Sequence, residues 1–271
     1  NADYWIQRIG PSAENIVMTS DQIRELNSKN RSRPLETLDI NGKPYSFEAA
    51  IRSWQRLGLQ FYFQDPLSIR SFPGDSLRIV LAPLRENIMN GKFWDRRRLP
   101  YTDALRRELV SLMDEGNIPG TVRPRYGVTA AHTLNRAAPY AMPAFWAQYA
   151  WQDLFNTGMI DHCSPVAVLH TSADGAWVFV RSAYAYGWIP SVNVALGTPE
   201  QIKRLAEPKD FIVALPHTVS VFTGPEFNTL ATEIYQGARL PLLGKTAAGY
   251  RVLVPHRKAD GALEAAEGWI K

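Results

Sequence analysis

The chain has 271 residues, a formal net charge of +4 at pH 7, and 45% hydrophobic against 21% charged residues. This composition is typical of a folded globular protein, and the length allows two or three compact units. A single cysteine, Cys163, excludes an internal disulfide framework and a cysteine-rich zinc site. No stretch of the sequence approaches the roughly 18 consecutive apolar residues that a membrane-spanning helix needs.

The basic residues are densest at Arg96, Arg97 and Arg98, where we expect a solvated helix end. No RNA-binding aromatic motif or zinc-finger spacing accompanies them, so the sequence disfavours nucleic acid as a partner. The chain begins at Asn1 without an apolar leader, so we expect that any export signal has been removed.

Residues 1–125 are predicted to be mostly helical and irregular. Capping side chains at 19–21 precede a short amphipathic stretch, and a second helix is predicted from residue 46 to Trp54. Thr102 opens a third helix, which Gly116 is expected to stop. Residues 77–81 predict either a strand or a short buried turn.

From about residue 120 the pattern changes to short β runs with turns between them. The predicted strands are 165–170, 177–181 and 185–190. A second set of strands, with a weaker pattern, is predicted at 211–215, 238–243 and 250–255. A helix start at 198–203 is expected to separate the two groups. The sequence therefore predicts an α+β fold: an N-terminal region (1–125) and two tandem SH3-like barrels (126–197 and 198–271).

One segment carries a family resemblance. Residues 169–180 (LHTSADGAWVFV) and 186–190 (YGWIP) resemble the first bacterial SH3 domain of large NlpC-type cell-wall peptidases. Tyr4, Trp5 and residues 18–27 resemble the N-terminal stabilising region of those enzymes. Residues 240–243 and 250–255, with Asp260-Gly261, are similar to their second SH3 domain.

The resemblance implies a bacterial peptidoglycan endopeptidase that cuts stem peptides after γ-D-glutamate. In that family a papain-like cysteine peptidase domain follows the second barrel, where this chain reaches Lys271. We therefore predict a non-catalytic targeting and substrate-gating portion that binds stem peptides or muropeptides and joins such a catalytic domain. The resemblance also implies a periplasmic or secreted protein of the cell envelope, and it is compatible with a lipid anchor at the N-terminus. We predict no cofactor and no metal.

Two alternatives remain open at this point. One is a self-standing cell-wall-binding adaptor without enzyme activity. The other is a thiol hydrolase that uses Cys163 with His217, because a cysteine followed by a histidine is the order of a thiol peptidase. The residues after Cys163 predict a strand, so no helix dipole would lower the pKa of its thiol, and a structural role is favoured. His170 is expected to bond the hairpin turn or Ser172.

A cluster of aromatic residues supplies the candidate ligand-binding site. Phe145, Trp146, Tyr149 and Trp151 lie in a predicted loop, where their rings could stack on sugars or peptide planes. In the resembled family the first barrel leans over the catalytic cleft and supplies a side chain for the free amino end of the stem peptide. Tyr149, and after it Tyr140, is the residue that we expect to play this part.

Overall fold

The computed structural model describes residues 65–147 and 151–271, together with Arg8 and the segments 18–32, 34–38 and 44–46. The chain divides into two compact units, residues 1–61 and residues 62–271. None of the helices in these described parts is long and apolar enough to cross a membrane.

The first unit contains helix α1 (Ser20–Ser32) and an antiparallel pair, β1 (Pro34–Leu38) and β2 (Pro44–Ser46). A reciprocal cap begins α1: Thr19 Oγ1 accepts from the Gln22 N–H at 3.2 Å, and Gln22 Oε1 accepts from the Thr19 N–H at 2.8 Å. The predicted helix start is confirmed. Beyond Ser46, which ends β2, the predicted second helix lies outside the described residues.

The second unit opens with two helices, α2 (Gly74–Asn90) and α3 (Asp103–Leu112), beside a short pair of strands, β3 (Phe72–Pro73) and β4 (Thr121–Val122). The prediction of a strand or turn at 77–81 is wrong, since these residues lie inside α2. Leu77 and Leu81 are both fully buried, and their spacing of four residues places them on one helical face.

Thr102 caps α3 as predicted, because its Oγ1 accepts from the Leu105 N–H at 3.2 Å. The helix ends at Leu112, before Gly116. That glycine lies in a short 3₁₀ turn (Glu115–Asn117) that follows Asp114, a residue in the left-handed region with φ of 52°.

The rest of the chain forms two antiparallel sheets. The first has seven strands in the order β11-β5-β8-β9-β10-β6-β7, and the second has six in the order β12-β15-β16-β17-β13-β14. The strands of the first sheet are β5 (Arg125–Thr129), β6 (Thr133–Arg136), β7 (Asn156–Ile160), β8 (Pro165–Thr171), β9 (Trp177–Arg181), β10 (Tyr186–Pro190) and β11 (Val194–Leu196). Those of the second are β12 (Phe211–Val213), β13 (Thr218–Phe222), β14 (Leu230–Tyr235), β15 (Arg239–Lys245), β16 (Tyr250–Arg257) and β17 (Leu263–Ile270).

Helix α4 (Pro199–Ala206) connects the sheets and begins with the expected capping box of Thr198 and Gln201. It also packs against both of them. Ile202 and Leu205 are buried in a hydrophobic core to which both sheets contribute, with Val128 from the first and Leu240 from the second. The mixed helix and strand content fits the α+β class. The two-barrel count and the boundaries after residues 125 and 197 stay predictions.

Close packing on the first sheet explains one glycine. A Cβ at Gly187 would lie 2.2 Å from Oδ1 of Asn135, a residue that is 1% exposed. The Asn135 side chain is held in place, because its Nδ2 donates to the Tyr186 carbonyl at 2.8 Å and to Thr157 Oγ1 at 3.0 Å. Strand β10 therefore requires a residue without a side chain here.

We predict that Gly187→Ala lowers the free energy of unfolding by about 2 kcal/mol, because neither the backbone nor Asn135 can move away. Chemical denaturation measures the change. Gly116→Ala is the matched control, since a Cβ at Gly116 meets nothing within 4 Å. Equal stability of the two variants would contradict the packing argument.

Candidate functional site

The candidate site is the connection between β6 and β7, residues 137–155, which we call the tryptophan loop. Arg136, at the end of β6, is 2% exposed, and its side chain forms hydrogen bonds to this loop. Its guanidinium donates to Asp153 Oδ2 at 2.8 Å, to the Tyr140 carbonyl at 2.5 Å and to the Met142 carbonyl at 2.9 Å. One buried cation thus fixes both the beginning and the end of the loop.

The Asp153 carboxylate completes this arrangement. Its Oδ1 accepts from the backbone N–H of Ala144 at 3.1 Å and from that of Phe155 at 3.0 Å. With Oδ2 paired to Arg136, the carboxylate satisfies donors from two different parts of the loop. Buried charges are stable only when they are paired and hydrogen-bonded in this way.

A hairpin from the helical region also supports the loop. Trp94 and Phe145 pair through two backbone hydrogen bonds of 2.9 Å, and the hairpin continues to Pro100. The tip of this hairpin carries Arg96, Arg97 and Arg98, so the predicted helix end is wrong. Asp95 shapes the tip, because its Oδ1 accepts the N–H groups of Arg97 and Leu99.

The five ring-bearing candidates have different environments. Trp151 is 76% exposed and Trp146 is 50% exposed, whereas Tyr140 is half-buried and its ring lies edge-on to Tyr101 at 6.5 Å. Tyr149 lies outside the described residues. Phe145 is buried and belongs to the packing of the loop. The two exposed indoles are therefore free to stack on a ligand.

Tyr101 is a neighbour of this site that the sequence reasoning missed. Burial, followed by the nearby Tyr140 and Asp153, raises the pKa of the Tyr101 phenol to about 12. The phenol therefore stays protonated near neutral pH and donates to the Pro143 carbonyl at 3.3 Å. No signal in the sequence linked residue 101 to a loop some forty residues away.

Cys163 is buried between β7 and β8, and its Sγ donates to the Leu205 carbonyl at 3.3 Å. Burial raises the pKa of the thiol to about 12, so the nucleophilic thiolate is suppressed. His217 packs edge-on against Tyr235 at 5.9 Å. These environments argue against the thiol hydrolase that would use Cys163 and His217, and they fit the structural role that the sequence favoured.

His170 also has a structural role, but not the expected one. Its Nε2 donates to the carbonyls of Met113 and Asp114, at 3.1 and 3.2 Å, rather than to its own hairpin turn. The ring thereby links the first sheet to the end of α3. Among the residues that the structure describes, no group of three or more histidine, cysteine, aspartate or glutamate side chains could hold a metal ion.

Comparisons with known proteins fit this architecture. Residues 152–190 match the family model of an SH3 domain (SH3b1 type), so the chain contains a bacterial SH3 domain, and the matched segment begins directly after Trp151. The fold resembles a solved structure of an NlpC/P60 endopeptidase from Photobacterium damselae subsp. piscicida, with a TM-score of 0.59 and 14% identity. The likeness covers 93% of this chain but only 56% of that one. No curated protein sequence matches the chain.

His162 gives the protein a defined response to acid. The ring is 2% exposed, and within the described part of the chain neither ring nitrogen has a hydrogen-bond partner. Burial, and to a smaller extent His132, lowers the pKa of His162 to about 4 from the usual 6.5 of a histidine. The ring is therefore neutral in the folded protein near pH 7.

We predict that the free energy of unfolding falls by about 3 kcal/mol through His162 as the pH drops from 6.5 towards 4, because the unfolded chain takes up the proton first. Denaturation curves at several pH values measure this slope. His162→Phe should flatten it, whereas the control His256→Gln, at an exposed position, should leave it unchanged. Parallel slopes for His162→Phe and the parent chain would rule out this assignment.

Proposed function

We propose that this chain is the non-catalytic, wall-binding and substrate-gating portion of a bacterial peptidoglycan endopeptidase. The tryptophan loop is its contact with muropeptides. The observation that carries the proposal is the pair of exposed indoles, Trp146 and Trp151, on a loop that a buried ion pair fixes beside the SH3-matched segment.

Pre-organisation is the physical reason to place binding here. An indole gains contact area with little loss of conformational freedom, so it suits the face of a sugar ring or a peptide plane. Arg136 and Asp153 already hold the two described ends of the loop backbone, which reduces the entropic cost of binding. Large apolar rings left in water at 50% and 76% exposure are typical of a recognition surface.

The proposal extends to the end of the stem peptide. A tyrosine hydroxyl can accept a hydrogen bond from an ammonium group. Tyr140 lies on the tryptophan loop with its carbonyl bound by Arg136, and Tyr149 belongs to the same loop. In this proposal one of the two tyrosines recognises the free amine of the stem peptide.

A papain-like domain of the same polypeptide is the proposed catalytic partner, and the cell envelope is the proposed location. A self-standing wall-binding adaptor would use the same loop without that domain. The intact mass of the native protein distinguishes the two forms, since only the enzyme carries an additional domain of its own.

We predict that Trp151→Ala raises the dissociation constant for a muropeptide about 10-fold, and Trp146→Ala by a similar factor, because each removes a stacking surface. Calorimetric titration and co-sedimentation with purified peptidoglycan measure the effect. The matched control is Phe211→Ala, an aromatic residue of the second sheet that is 43% exposed. Unchanged binding by both tryptophan variants, or an equal loss in the control, would refute the proposal.

The amine contact has a separate test. A stem peptide with a free amino end should bind the parent chain more tightly than its N-acetylated form, since acetylation removes the ammonium. We expect Tyr149→Phe, or in its place Tyr140→Phe, to abolish that difference while binding of the acetylated peptide stays the same. If neither variant changes the preference for the free amine, the tyrosine assignment is wrong.

A further inference from the structure

A cavity lies away from the tryptophan loop, at the seam where the two sheets meet. Two hydrogen bonds to backbone carbonyls hold the seam: the Leu196 N–H donates to the Gly261 carbonyl at 2.9 Å, and the Arg257 side chain donates through Nε to the Val194 carbonyl at 3.1 Å. Beside these contacts, residues of both sheets line a cavity of about 170 Å³ that opens to solvent, which we call the seam cavity.

The seam cavity combines an apolar floor with charged walls. Val168, Val178 and Val194 line it, and the first and third of these are 3% exposed. Arg125 from the first sheet and Arg257 from the second also line it. Arg125 also lines a neighbouring cavity of about 390 Å³, together with Arg123 and His170.

The protein uses only some of the hydrogen-bond donors of the two guanidinium groups. Arg125 donates through Nη2 to Thr171 Oγ1 at 3.0 Å, and Arg257 uses Nε and Nη1 for the carbonyls of Val194 and Lys258. Within the described part of the chain, Nη1 of Arg125 and Nη2 of Arg257 make no other hydrogen bond. Donors from both sheets therefore remain for a ligand.

The charge of the lining favours an anion. Two arginines and one aspartate line the seam cavity, so its formal charge is positive by one. The aspartate, Asp260, is engaged in its own turn, where its Oδ1 accepts from the Ala262 N–H at 2.9 Å. Two guanidinium groups bind a carboxylate more strongly than a neutral group, because the two carboxylate oxygens accept several charge-assisted hydrogen bonds.

The volume limits the size of the ligand. A cavity of roughly 150 Å³ admits a group as large as benzene, which has six heavy atoms. A chain-terminal alanine residue also has six heavy atoms. Its methyl group would contact the valines that line the cavity, and its carboxylate would accept hydrogen bonds from the two arginines.

We propose that the seam cavity binds the terminal carboxylate of a peptide that ends in a small apolar residue such as alanine. The site is separate from the tryptophan loop and does not depend on the function proposed for it. Because its two arginines come from different sheets, an occupant would bridge the seam.

The probes are three small molecules titrated into the ¹⁵N-labelled chain at constant ionic strength. Racemic N-acetylalanine has a terminal carboxylate, N-acetylalanine amide lacks it, and N-acetylaspartate methylamide carries a carboxylate only on its side chain. We expect N-acetylalanine to shift the amide signals of Gly175, Ser191 and Gly261, which line the cavity, with a dissociation constant on the order of 1–10 mM. The amide should cause no such shift, and the aspartate derivative should bind more weakly.

Arg125→Gln should weaken N-acetylalanine binding about 10-fold, because a charge-assisted contact is lost. Arg125 is exposed, so the variant is expected to fold, and Arg125→Lys, which keeps the charge but not the fork, should give an intermediate loss. Arg107→Gln, an exposed arginine on α3, is the matched control. Trp151→Ala should leave these shifts unchanged, which keeps this test independent of the muropeptide titration.

Three results would overturn the proposal: N-acetylalanine and its amide giving the same shifts, Arg125→Gln binding as well as the parent chain, or no shift at the cavity amides. Binding of the aspartate derivative as tight as that of N-acetylalanine would contradict the assignment to a chain end.

Discussion

The ion pair between Arg136 and Asp153 is the interaction on which the candidate site depends. Both side chains are largely removed from water, at 3% and 18% exposure, and their closest atoms are 2.8 Å apart. Removing one member of such a pair leaves an uncompensated buried charge, which costs about 3–5 kcal/mol. The carbonyl and N–H groups of the tryptophan loop use the remaining capacity of the pair. The pair therefore holds the described residues at both ends of the loop, next to Trp146 and Trp151.

The seam between the sheets is the second constraint. A core cluster draws on both sheets and on α4, so Ile202 and Leu205 pack against residues from each side. Sheets that share one hydrophobic core cannot rotate freely past each other, because rotation would expose that core to water. This coupling is also what brings Arg125 and Arg257 to one cavity. The second sheet thus contributes directly to a surface that neither sheet forms alone.

The sequence predicted local features of the fold well and long-range features poorly. Thr19, Thr102 and Thr198 were identified as helix starts because a cap depends on neighbours three residues away. The hairpin of β8 and β9 followed from Asp174-Gly175 at its turn. Residues 77–81 were misread because a short apolar run does not reveal its period. Strands β13, β14 and β17 were not predicted, since exposed positions interrupt their apolar pattern.

The same limit applies to the candidate site. The aromatic cluster was visible in the sequence because its rings lie within a few residues of one another, but Arg136, Tyr101 and the Trp94 hairpin were not connected with it. Those contacts span 17, 42 and some fifty residues and depend on packing. The resemblance at 169–180 fell inside the segment that matches an SH3 domain, whereas the seam cavity left no local pattern at all.

The most direct measurement is a spectrum of the indole N–H groups, one for each of the eight tryptophans, recorded while a muropeptide is added. Signals are assigned by replacing each tryptophan in turn with phenylalanine. If the tryptophan loop binds the wall, the signals of Trp146 and Trp151 shift together and saturate at one ligand concentration, while that of the fully buried Trp188 stays in place. Unchanged signals from both loop tryptophans at saturating muropeptide would contradict the account.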